Sequence, residues 1–284
     1  MSIDPRLEHD QSLSCESELG KKSDYESTYN PQRLYPIARA AKRQDMGILP
    51  EHLPFYGVDC WNHYEVSWLN DQGKPMVAMA QIIYDCRSPK MVESKSLKLY
   101  FNSLNNTKIS CIDTLAFMVK RDLEHCIESE VQVKIVTLNH APLFNLHAPV
   151  GESIDALDVE CSVYLVEPAF LDVEKEEVRE ILCSDLLKSN CLVTYQPDWG
   201  SVQITYTGKK INREGLLKYL VSFRNHNEFH EQCIERIFMD LMRRCKPTSL
   251  SVYGRYTRRG GLDINPYRST EKMTLTEHLR LIRQ

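Results

Sequence analysis

A cysteine and an aspartate seven residues apart are the side chains of this sequence best suited to covalent chemistry. Cys191 and Asp198 lie in residues 189–200 (SNCLVTYQPDWG), with Pro197 rigidifying the turn between them. A thiol becomes a useful nucleophile when a neighbouring group moves its proton, and a rigid connection maintains that geometry. The pattern predicts Cys191 as nucleophile and Asp198 as its proton-transfer partner. The structural alternative is a small buried cysteine and a turn aspartate that satisfies local amides.

Two predicted helix starts carry polar groups that could bind a ligand. His230 and Glu231 begin a helix in the C-terminal half, and residues 93–96 (ESKS) begin one in the N-terminal half. A carboxylate fixed at a helix start can accept two hydrogen bonds from a guanine-like edge. Hydroxyls and a lysine at a helix start suit a phosphate group. The alternatives are that Glu231 only complements the helix dipole and that residues 93–96 are ordinary first-turn residues.

Residues 255–261 (RYTRRGG) form the densest basic cluster of the chain. This cluster could bind the phosphates of a cofactor, or it could be a solvated strand end that resists aggregation. Neither GxGxxG nor GxxxxGK[ST] occurs, so a Rossmann or P-loop site is disfavoured and a nucleotide would be held in another way.

Composition narrows the class of protein. The 284 residues include 35 Lys and Arg against 39 Asp and Glu, a net charge of -4 that argues against nucleic acid as the main partner. The ten cysteines lack CxxC pairs and zinc-site spacing, so reduced thiols and no metal are expected. No signal peptide and no apolar run long enough to span a bilayer is found, which predicts a soluble, cytoplasmic protein without a membrane partner.

The order of predicted elements favours an α+β fold. Strands at 64–68 and 75–84, helices at 93–104 and 112–127, and a strand at 131–138 are followed by a second series. That series has strands at 201–207, 250–257 and 262–264 and helices at 213–223 and 228–244. The repeat, with Tyr100, Ser103 and Asn106 echoed by Tyr219, Ser222 and Asn225, indicates a duplicated module. We predict an arm at 1–45, a first lobe at 46–150 and a second at 151–284, linked near 139–156.

Four blocks together resemble the NADPH-dependent 7-cyano-7-deazaguanine reductases of queuosine biosynthesis, the QueF family in its long, two-lobed form. The blocks are residues 93–100 (ESKSLKLY), the Cys191-to-Asp198 segment, residues 229–231 (FHE) and residues 255–266 (RYTRRGGLDINP). The resemblance covers most of residues 24–284. It implies tandem tunnelling-fold (T-fold) lobes, each an antiparallel sheet backed by two helices, with the site between them. It also implies a homodimer and NADPH as the cofactor.

The resemblance also implies roles for individual residues. Cys191 would attack the nitrile carbon to form a covalent thioimide, and Asp198 would handle protons. The deazaguanine ring would be held by Val92, Glu93, Ser94, His230 and Glu231. NADPH would contact Ser94, Lys95, Arg259 and Gly260. Two hydride transfers would give 7-aminomethyl-7-deazaguanine, a precursor in tRNA modification, without contact to nucleic acid.

Three other functions share parts of this pattern. A cysteine-dependent nitrile or amide hydrolase would use the same thiol, but no Glu-Lys-Cys constellation surrounds Cys191. A pterin- or purine-binding enzyme such as a cyclohydrolase would need a zinc site that the cysteine spacing does not provide. A non-catalytic purine-binding module would not need the thiol and the carboxylate.

Overall fold

The structure is a computed structural model that describes residues 26, 28–49, 51–140, 146–272 and 280–284. Its helices are α1 (Ala40–Asp45), α2 (Ser94–Ser103), α3 (Ile112–Ile127), α4 (Arg213–Ser222) and α5 (His230–Arg244). Its strands are β1 (Pro36–Ala38), β2 (Tyr56–Leu69), β3 (Pro75–Asp85), β4 (Lys90–Val92), β5 (Val131–Val136), β6 (Leu146–His147), β7 (Glu152–Ser153), β8 (Val173–Asn190), β9 (Pro197–Ile211), β10 (Ser249–Tyr256), β11 (Leu262–Ser269) and β12 (Arg280–Leu281).

The four predicted helices are confirmed within two residues at each end, and α3 matches its predicted bounds. Each has an apolar face at helical spacing, as in α2, where Leu97, Tyr100 and Phe101 are buried. None of the helices in the described residues is long and apolar enough to cross a membrane.

Strand β8 was not predicted, although it spans 18 residues. Its first half is charged and mostly exposed, so no apolar stripe marks it. Register shifts against β9, between Val173 and Glu177 and between Ser184 and Leu187, also break the alternation with period two. Pairing with β9 therefore forms a strand where the local sequence gives no strand signal.

The main sheet has eight strands in the order β5-β3-β2-β11-β10-β9-β8-β7, and its pairs are antiparallel except for β7 with β8. The strands of the two halves belong to this one sheet because β11 pairs with β2 over eight residues. A mixed α+β fold with a large, mostly antiparallel sheet is thus confirmed. The expected linker at 139–156 contributes β6 and β7, and residues 141–145 lie outside the described residues.

Two hydrophobic cores lie between this sheet and its helices. One includes Trp61 and Leu123 with the buried face of α2, and the other includes Tyr206 and Phe238 with the buried face of α4. Each core gathers residues of both strands and helices, so burial of apolar surface fixes a helix pair against each part of the sheet.

The two helix pairs carry the same hydrogen bonds. The Tyr100 hydroxyl donates to Asp122 Oδ2 at 2.7 Å, and the Tyr219 hydroxyl donates to Asp240 Oδ2 at 2.7 Å. In both cases a tyrosine of the first helix bonds a buried carboxylate of the second. The sequence echo at Tyr100 and Tyr219 therefore corresponds to equivalent contacts.

The serines of the echo also occupy equivalent positions. Ser103 Oγ and Ser222 Oγ each donate at 2.6 Å to the carbonyl of the tyrosine three residues earlier. Ser103 Oγ accepts from the N–H of Asn30, and Ser222 Oγ accepts from the N–H of Glu167, both at 3.1 Å. Asn30 and Glu167 each precede a short 3₁₀ turn that begins with proline.

Much of the predicted arm at 1–45 lies outside the described residues, which begin at residue 26. The remainder forms a 3₁₀ turn at Pro31–Arg33, strand β1 and helix α1. Strand β1 pairs with β4, opposing Pro36 to Val92. This pairing places strand β1 beside β4, the strand that leads into α2.

A buried network of five charged side chains joins α1, β2, α5 and β11. Arg268 donates to Asp59 Oδ1 and to Glu235 Oε1, both at 2.8 Å. Arg43 donates to the two oxygens of Glu235 at 2.6 and 2.9 Å, and Arg39 donates to Asp59. Three guanidinium groups therefore share two carboxylates in the interior. Removing one carboxylate would leave buried charge without compensation.

We expect Glu235→Gln to lower the free energy of unfolding by about 3–5 kcal/mol, the usual cost of breaking a buried ion pair. Urea denaturation at neutral pH measures the change. The matched control is Glu124→Gln, because Glu124 pairs with Lys120 on the surface of α3, and its effect should stay within about 1 kcal/mol. Equal effects of the two variants would contradict the importance of the network.

Candidate active site

Cys191 and Asp198 lie at the end of the hairpin formed by β8 and β9. The Cys191 N–H donates to the Gln196 carbonyl at 2.9 Å and closes the loop between the strands. Asp198 pairs in register with Ser189, two residues before Cys191. Cys191 lies just beyond the last ladder pair, Asn190 with Pro197, so Cys191 and Asp198 lie at the same end of the hairpin, beside its loop. The hairpin therefore places the predicted nucleophile and the predicted proton-transfer residue near one loop.

The thiol of Cys191 is not openly exposed. Its residue is 6% exposed, and Leu192 beside it is also buried. Tyr195, at the tip of the loop, is well exposed and has a φ of 57°, in the left-handed region. A tight turn thus holds Cys191 in a position with little access to water. Low access to water protects reactive intermediates from hydrolysis.

Two basic side chains, Arg259 and His230, lie against the Asp198 carboxylate. Arg259 donates to Asp198 Oδ1, and His230 Nε2 lies 3.6 Å from the same oxygen. Burial alone would raise the pKa of the Asp198 carboxyl, but His230 and Arg259 together hold the pKa below its usual value. Asp198 is therefore ionised at neutral pH and can accept a proton.

The first residue of α5, His230, lies between Asp198 and an aromatic wall. Its ring packs edge-on against Tyr256 of β10, with 4.2 Å between ring centroids. The ring of Tyr256 is close to Gly200, where an added Cβ would lie 3.1 Å from the tyrosine ring. Tyr256 was not singled out from the sequence, and its position in the basic cluster gave only a weak signal.

Glu231 is the most unusual group of the site. It is 2% exposed, and its Oε1 atom has no hydrogen-bond partner among the described residues. Burial, reinforced by the nearby carboxylate of Asp59, raises the pKa of Glu231 to about 7, although His230 and Arg39 act in the opposite direction. A buried carboxylate oxygen without a donor is costly in the free protein. It is suited to a ligand that brings N–H groups.

Asp59 and Arg39 influence this site through Glu231 and were missed by the sequence analysis. Asp59 lies within β2, upstream of the point at which the strand was predicted to begin. An aspartate in a strand beside Val58, Cys60 and Trp61 is a signal of a buried ionic partner. That signal could have marked Asp59, but it could not have identified the arginines that pair with it.

The other predicted ring-binding residues lie where β4 leads into α2. Glu93 caps α2, and its carboxylate accepts from the N–H groups of Lys95 and Ser96, each at 2.7 Å. Burial raises the pKa of Glu93 in spite of these bonds. Val92 is buried in the N-terminal core, against which Phe229, the residue before α5, also packs. The alternative of a purely structural role at the helix start thus describes part of what Glu93 does.

The predicted cofactor residues come from α2 and from the turn between β10 and β11. Arg259 is occupied by Asp198 and also donates to Gln196 Oε1 at 2.9 Å. Gly260 has a φ of 61°, and a Cβ added there would lie 2.7 Å from Lys98 Cδ of α2. Ser94 and Lys95 lie in the first turn of the same helix and are half-buried. Position 260 therefore favours glycine, because of its left-handed φ and its close approach to Lys98, and the turn lies directly against α2 in a cradle of these residues.

Metal-site geometry is not found in the described residues. No group of three or more His, Cys, Asp or Glu side chains there is placed to hold a metal ion.

Comparison with known proteins identifies the family. The family model described as "Nitrile reductase, 7-cyano-7-deazaguanine-reductase N-term" matches residues 25–135, and the model described as "QueF-like protein" matches residues 197–274. A protein of Legionella pneumophila (strain Lens), named NADPH-dependent 7-cyano-7-deazaguanine reductase, is 63% identical over 96% of this chain and 97% of its own length. Proteins of the same name from Ralstonia nicotianae and Cupriavidus metallidurans are 52% and 54% identical, each over 94% of this chain and 98% of their own length.

A solved structure also matches part of the chain. The apo form of the archaeosine synthase QueF-Like aligns with a TM-score of 0.31 and 16% identity, over 36% of this chain and 99% of that chain.

The matches first define the class of protein, which is that of the nitrile reductases. The chain belongs to the family of NADPH-dependent 7-cyano-7-deazaguanine reductases. This confirms the family predicted from the four sequence blocks, and with it the oxidoreductase class and the dependence on NADPH that the family name states.

The raised pKa of Glu231 predicts an unusual effect of Glu231→Gln on stability. A carboxyl whose folded pKa is raised from 4.5 to about 7 stabilises the fold fully below pH 4.5, and this stabilisation is lost as pH rises through 7. Glutamine does not ionise, so the Glu231→Gln variant does not lose stability in this way as the pH rises. Its free energy of unfolding should exceed that of the wild type at pH 8 by roughly 1–3 kcal/mol, with a smaller difference at pH 5.

Urea denaturation at pH 5 and pH 8 tests this expectation. Asp113→Asn is the control, because Asp113 is an exposed acid in the first turn of α3; it should be slightly destabilising at pH 8. If Glu231→Gln behaves in the same way as Asp113→Asn, Glu231 is an ordinary helix-start residue.

Proposed function

We propose that this protein reduces the nitrile of 7-cyano-7-deazaguanine to the primary amine of 7-aminomethyl-7-deazaguanine, in queuosine biosynthesis. The observation that carries the proposal is the buried Oε1 of Glu231, which has no hydrogen-bond partner among the described residues. Glu231 follows His230, and the His230 ring lies beside Asp198, next to the loop that holds Cys191. Family membership supports the same substrate and the same cofactor, since the relatives are named for both.

Recognition of the ring is assigned to the starts of α5 and α2. Ionised Glu231 would accept hydrogen bonds from the N1–H and the exocyclic amine of the deazaguanine, which satisfies its free oxygen. His230 would donate to the ring carbonyl. Val92, Glu93 and Ser94 would form the opposite wall, a role that the resemblance implies and that the buried end of β4 is consistent with.

The covalent step uses the hairpin. The sulfur of Cys191 adds to the nitrile carbon, so a C–S bond forms and the C≡N bond becomes C=N. Asp198 relays the proton, accepting it from the sulfur and passing it to the nitrogen, which is far more basic in the adduct. The thiol S–H is thereby added across the nitrile. The protonated thioimide is a much better hydride acceptor than the nitrile.

Reduction requires the cofactor. When bound, NADPH would supply the hydrides, and two equivalents with two protons are needed to reach the amine. After the first hydride has added to the thioimide carbon, the C–S bond would break, which returns the sulfur to Cys191 and leaves the imine for the second reduction. Ser94, Lys95, Arg259 and Gly260 would hold it in the cradle between α2 and the 259–261 turn, where Gly260 leaves room against Lys98. The near-complete burial of Cys191 and Asp198 would keep the half-reduced imine away from water.

We also propose that the chain is a tandem pair of T-fold lobes, at 46–150 and 151–284 after an arm at 1–45, and that it forms a homodimer in the cytoplasm. The repeated hydrogen bonds of Tyr100 and Tyr219 support the duplication. The homodimer rests on the family resemblance, and light scattering coupled to size exclusion tests it.

The thioimide gives a direct test. The protein is mixed with 7-cyano-7-deazaguanine in the absence of NADPH, and the intact mass is recorded. We expect a gain equal to the mass of the whole nitrile, because addition has no leaving group. Cys191→Ala should show no gain. Subsequent addition of NADPH should consume two equivalents per substrate.

Other results would identify the competing functions. Release of ammonia would indicate a nitrile hydrolase that uses the same thiol. Binding of the ring without a mass gain would indicate a purine-binding module. Cys183→Ala is the matched control, since Cys183 is a free buried thiol within β8, the strand that Cys191 directly follows; it should retain the adduct.

Substrate affinity tests the role of Glu231. Glu231→Gln should weaken binding of 7-cyano-7-deazaguanine by roughly 1–3 kcal/mol, because the amide nitrogen opposes a donor edge. Titration calorimetry on proteins that also carry Cys191→Ala measures binding alone, because these proteins cannot form the covalent adduct. Wild-type affinity should rise between pH 6 and pH 8 as Glu231 ionises, and a flat profile in that range would argue against the assignment.

A further inference from the structure

Gln284, which follows the short strand β12, is a buried side chain that the proposed mechanism does not use. It is 3% exposed and lies against the end of β10. We propose that Gln284 is a positioning residue, which holds the end of β10 and thereby sets the position of Arg259 against Asp198. The inference rests on the proposed function and adds to its site a residue that acts through its neighbours.

The side-chain amide of Gln284 uses all of its hydrogen-bonding groups. Nε2 donates to Asn265 Oδ1 at 2.5 Å and to the carbonyl of Tyr256 at 3.1 Å. Oε1 accepts from Arg255 at 2.7 Å and from the N–H of Leu281 at 3.1 Å. Both amide hydrogens are donated and the oxygen accepts two bonds, so the group is fully satisfied. A fully satisfied buried polar group specifies a single arrangement of its partners.

The main-chain oxygen of Gln284 holds a further residue near the same strand end. It accepts from Arg258 at 3.1 Å and from Arg280 at 2.6 and 2.9 Å. The guanidinium groups of Arg258 and Arg280 also lie over the ring of Tyr64, 4.3 and 5.0 Å from its centroid. Tyr64 belongs to β2, so these contacts tie residues 280–284 to the N-terminal half of the sheet.

Asn265 connects Gln284 to the pairing of β2 with β11. Its Nδ2 donates to the carbonyl of Cys60 at 3.1 Å and to Asp263 Oδ1 at 2.6 Å. Asn62 donates to the same oxygen of Asp263 at 2.8 Å. Cys60 and Asn62 lie in β2, whereas Asp263 and Asn265 lie in β11. Gln284 is therefore anchored where the two halves of the chain join.

The end of β10 is held on two sides. Gln284 bonds three of the four residues that precede Arg259, namely Arg255, Tyr256 and Arg258. The fourth, Thr257, donates its N–H to the carbonyl of Trp199 at 2.9 Å, and Trp199 directly follows Asp198 in β9. Arg259 in turn donates to Asp198. Loss of the bonds to Gln284 would free one side of the segment that places the Arg259 guanidinium.

The test is the limiting rate of thioimide formation, measured by rapid-quench mass spectrometry at saturating 7-cyano-7-deazaguanine without NADPH. Gln284→Met keeps the length of the side chain and removes its hydrogen bonds. We expect the rate to fall by about 10- to 100-fold, because small displacements at a reacting centre have effects of this size. Substrate affinity, measured by calorimetry in proteins that also carry Cys191→Ala, should change little, because Glu231 lies on α5 and not on the strand end that Gln284 holds.

A double-mutant cycle shows whether Gln284 acts through Arg259. In a protein that already carries Arg259→Ala, Gln284→Met should slow the reaction far less than it slows the wild type, because the residue that it positions is absent. A purely structural role of Gln284 would give additive effects instead. Additive effects would overturn the proposal, and so would a wild-type rate in folded Gln284→Met.

Two further variants complete the experiment. Gln72→Met makes the same change at an exposed glutamine in the turn after β2, and it should react as the wild type does. Gln284→Asn keeps the amide on a shorter stem and should retain part of the rate. Failure of both Gln284 variants to fold, measured by circular dichroism, would assign a purely structural role and overturn the proposal. Thioimide formation by the wild type is measured first, so failure of the proposed function is distinguishable from failure of this inference.

Discussion

The interaction on which the rest of the structure depends is the buried sharing of Asp59 and Glu235 by Arg39, Arg43 and Arg268. These side chains are almost inaccessible to water, so each charge relies on the others for compensation. The network connects α1 and β2 of the N-terminal half to α5 and β11 of the C-terminal half. It therefore fixes the start of α5, which carries the proposed ring-binding residues His230 and Glu231, relative to the sheet.

The same network controls the chemistry of Glu231. Glu231 and Glu235 are four residues apart and lie on one face of α5, one turn from each other. Asp59 disfavours the ionised form of Glu231 and Arg39 favours it, so the two partners of one buried ion pair act on it with opposite sign. Burial raises the pKa of Glu231 most, and together these effects bring the pKa to about 7. Charges of the structural network thus affect the ionisation of the proposed recognition residue Glu231.

Local sequence determined much of this fold, and long-range pairing determined the rest. Helices α2 to α5 could be predicted because each buries a periodic apolar face. Strand β8 could not, because its charged first half and its bulges hide the alternation. Cys191 and Asp198 could be linked from the sequence since one hairpin holds both. The arginine network could not, because Asp59 and Arg268 are 209 residues apart and nothing local specifies their contact.

The hairpin that carries Cys191 and Asp198 keeps these two residues together when other parts of the molecule move. The proposed nucleophile and its proton relay are fixed by a six-residue loop and the ladder beneath it. The proposed ring site combines His230 and Glu231 of α5 with the end of β4, which belongs to a distant part of the chain. His230 also contacts Asp198, so α5 is coupled to the reactive pair. A displacement of the end of β4 would therefore weaken binding of the heterocycle while His230 and the reactive pair kept their spacing.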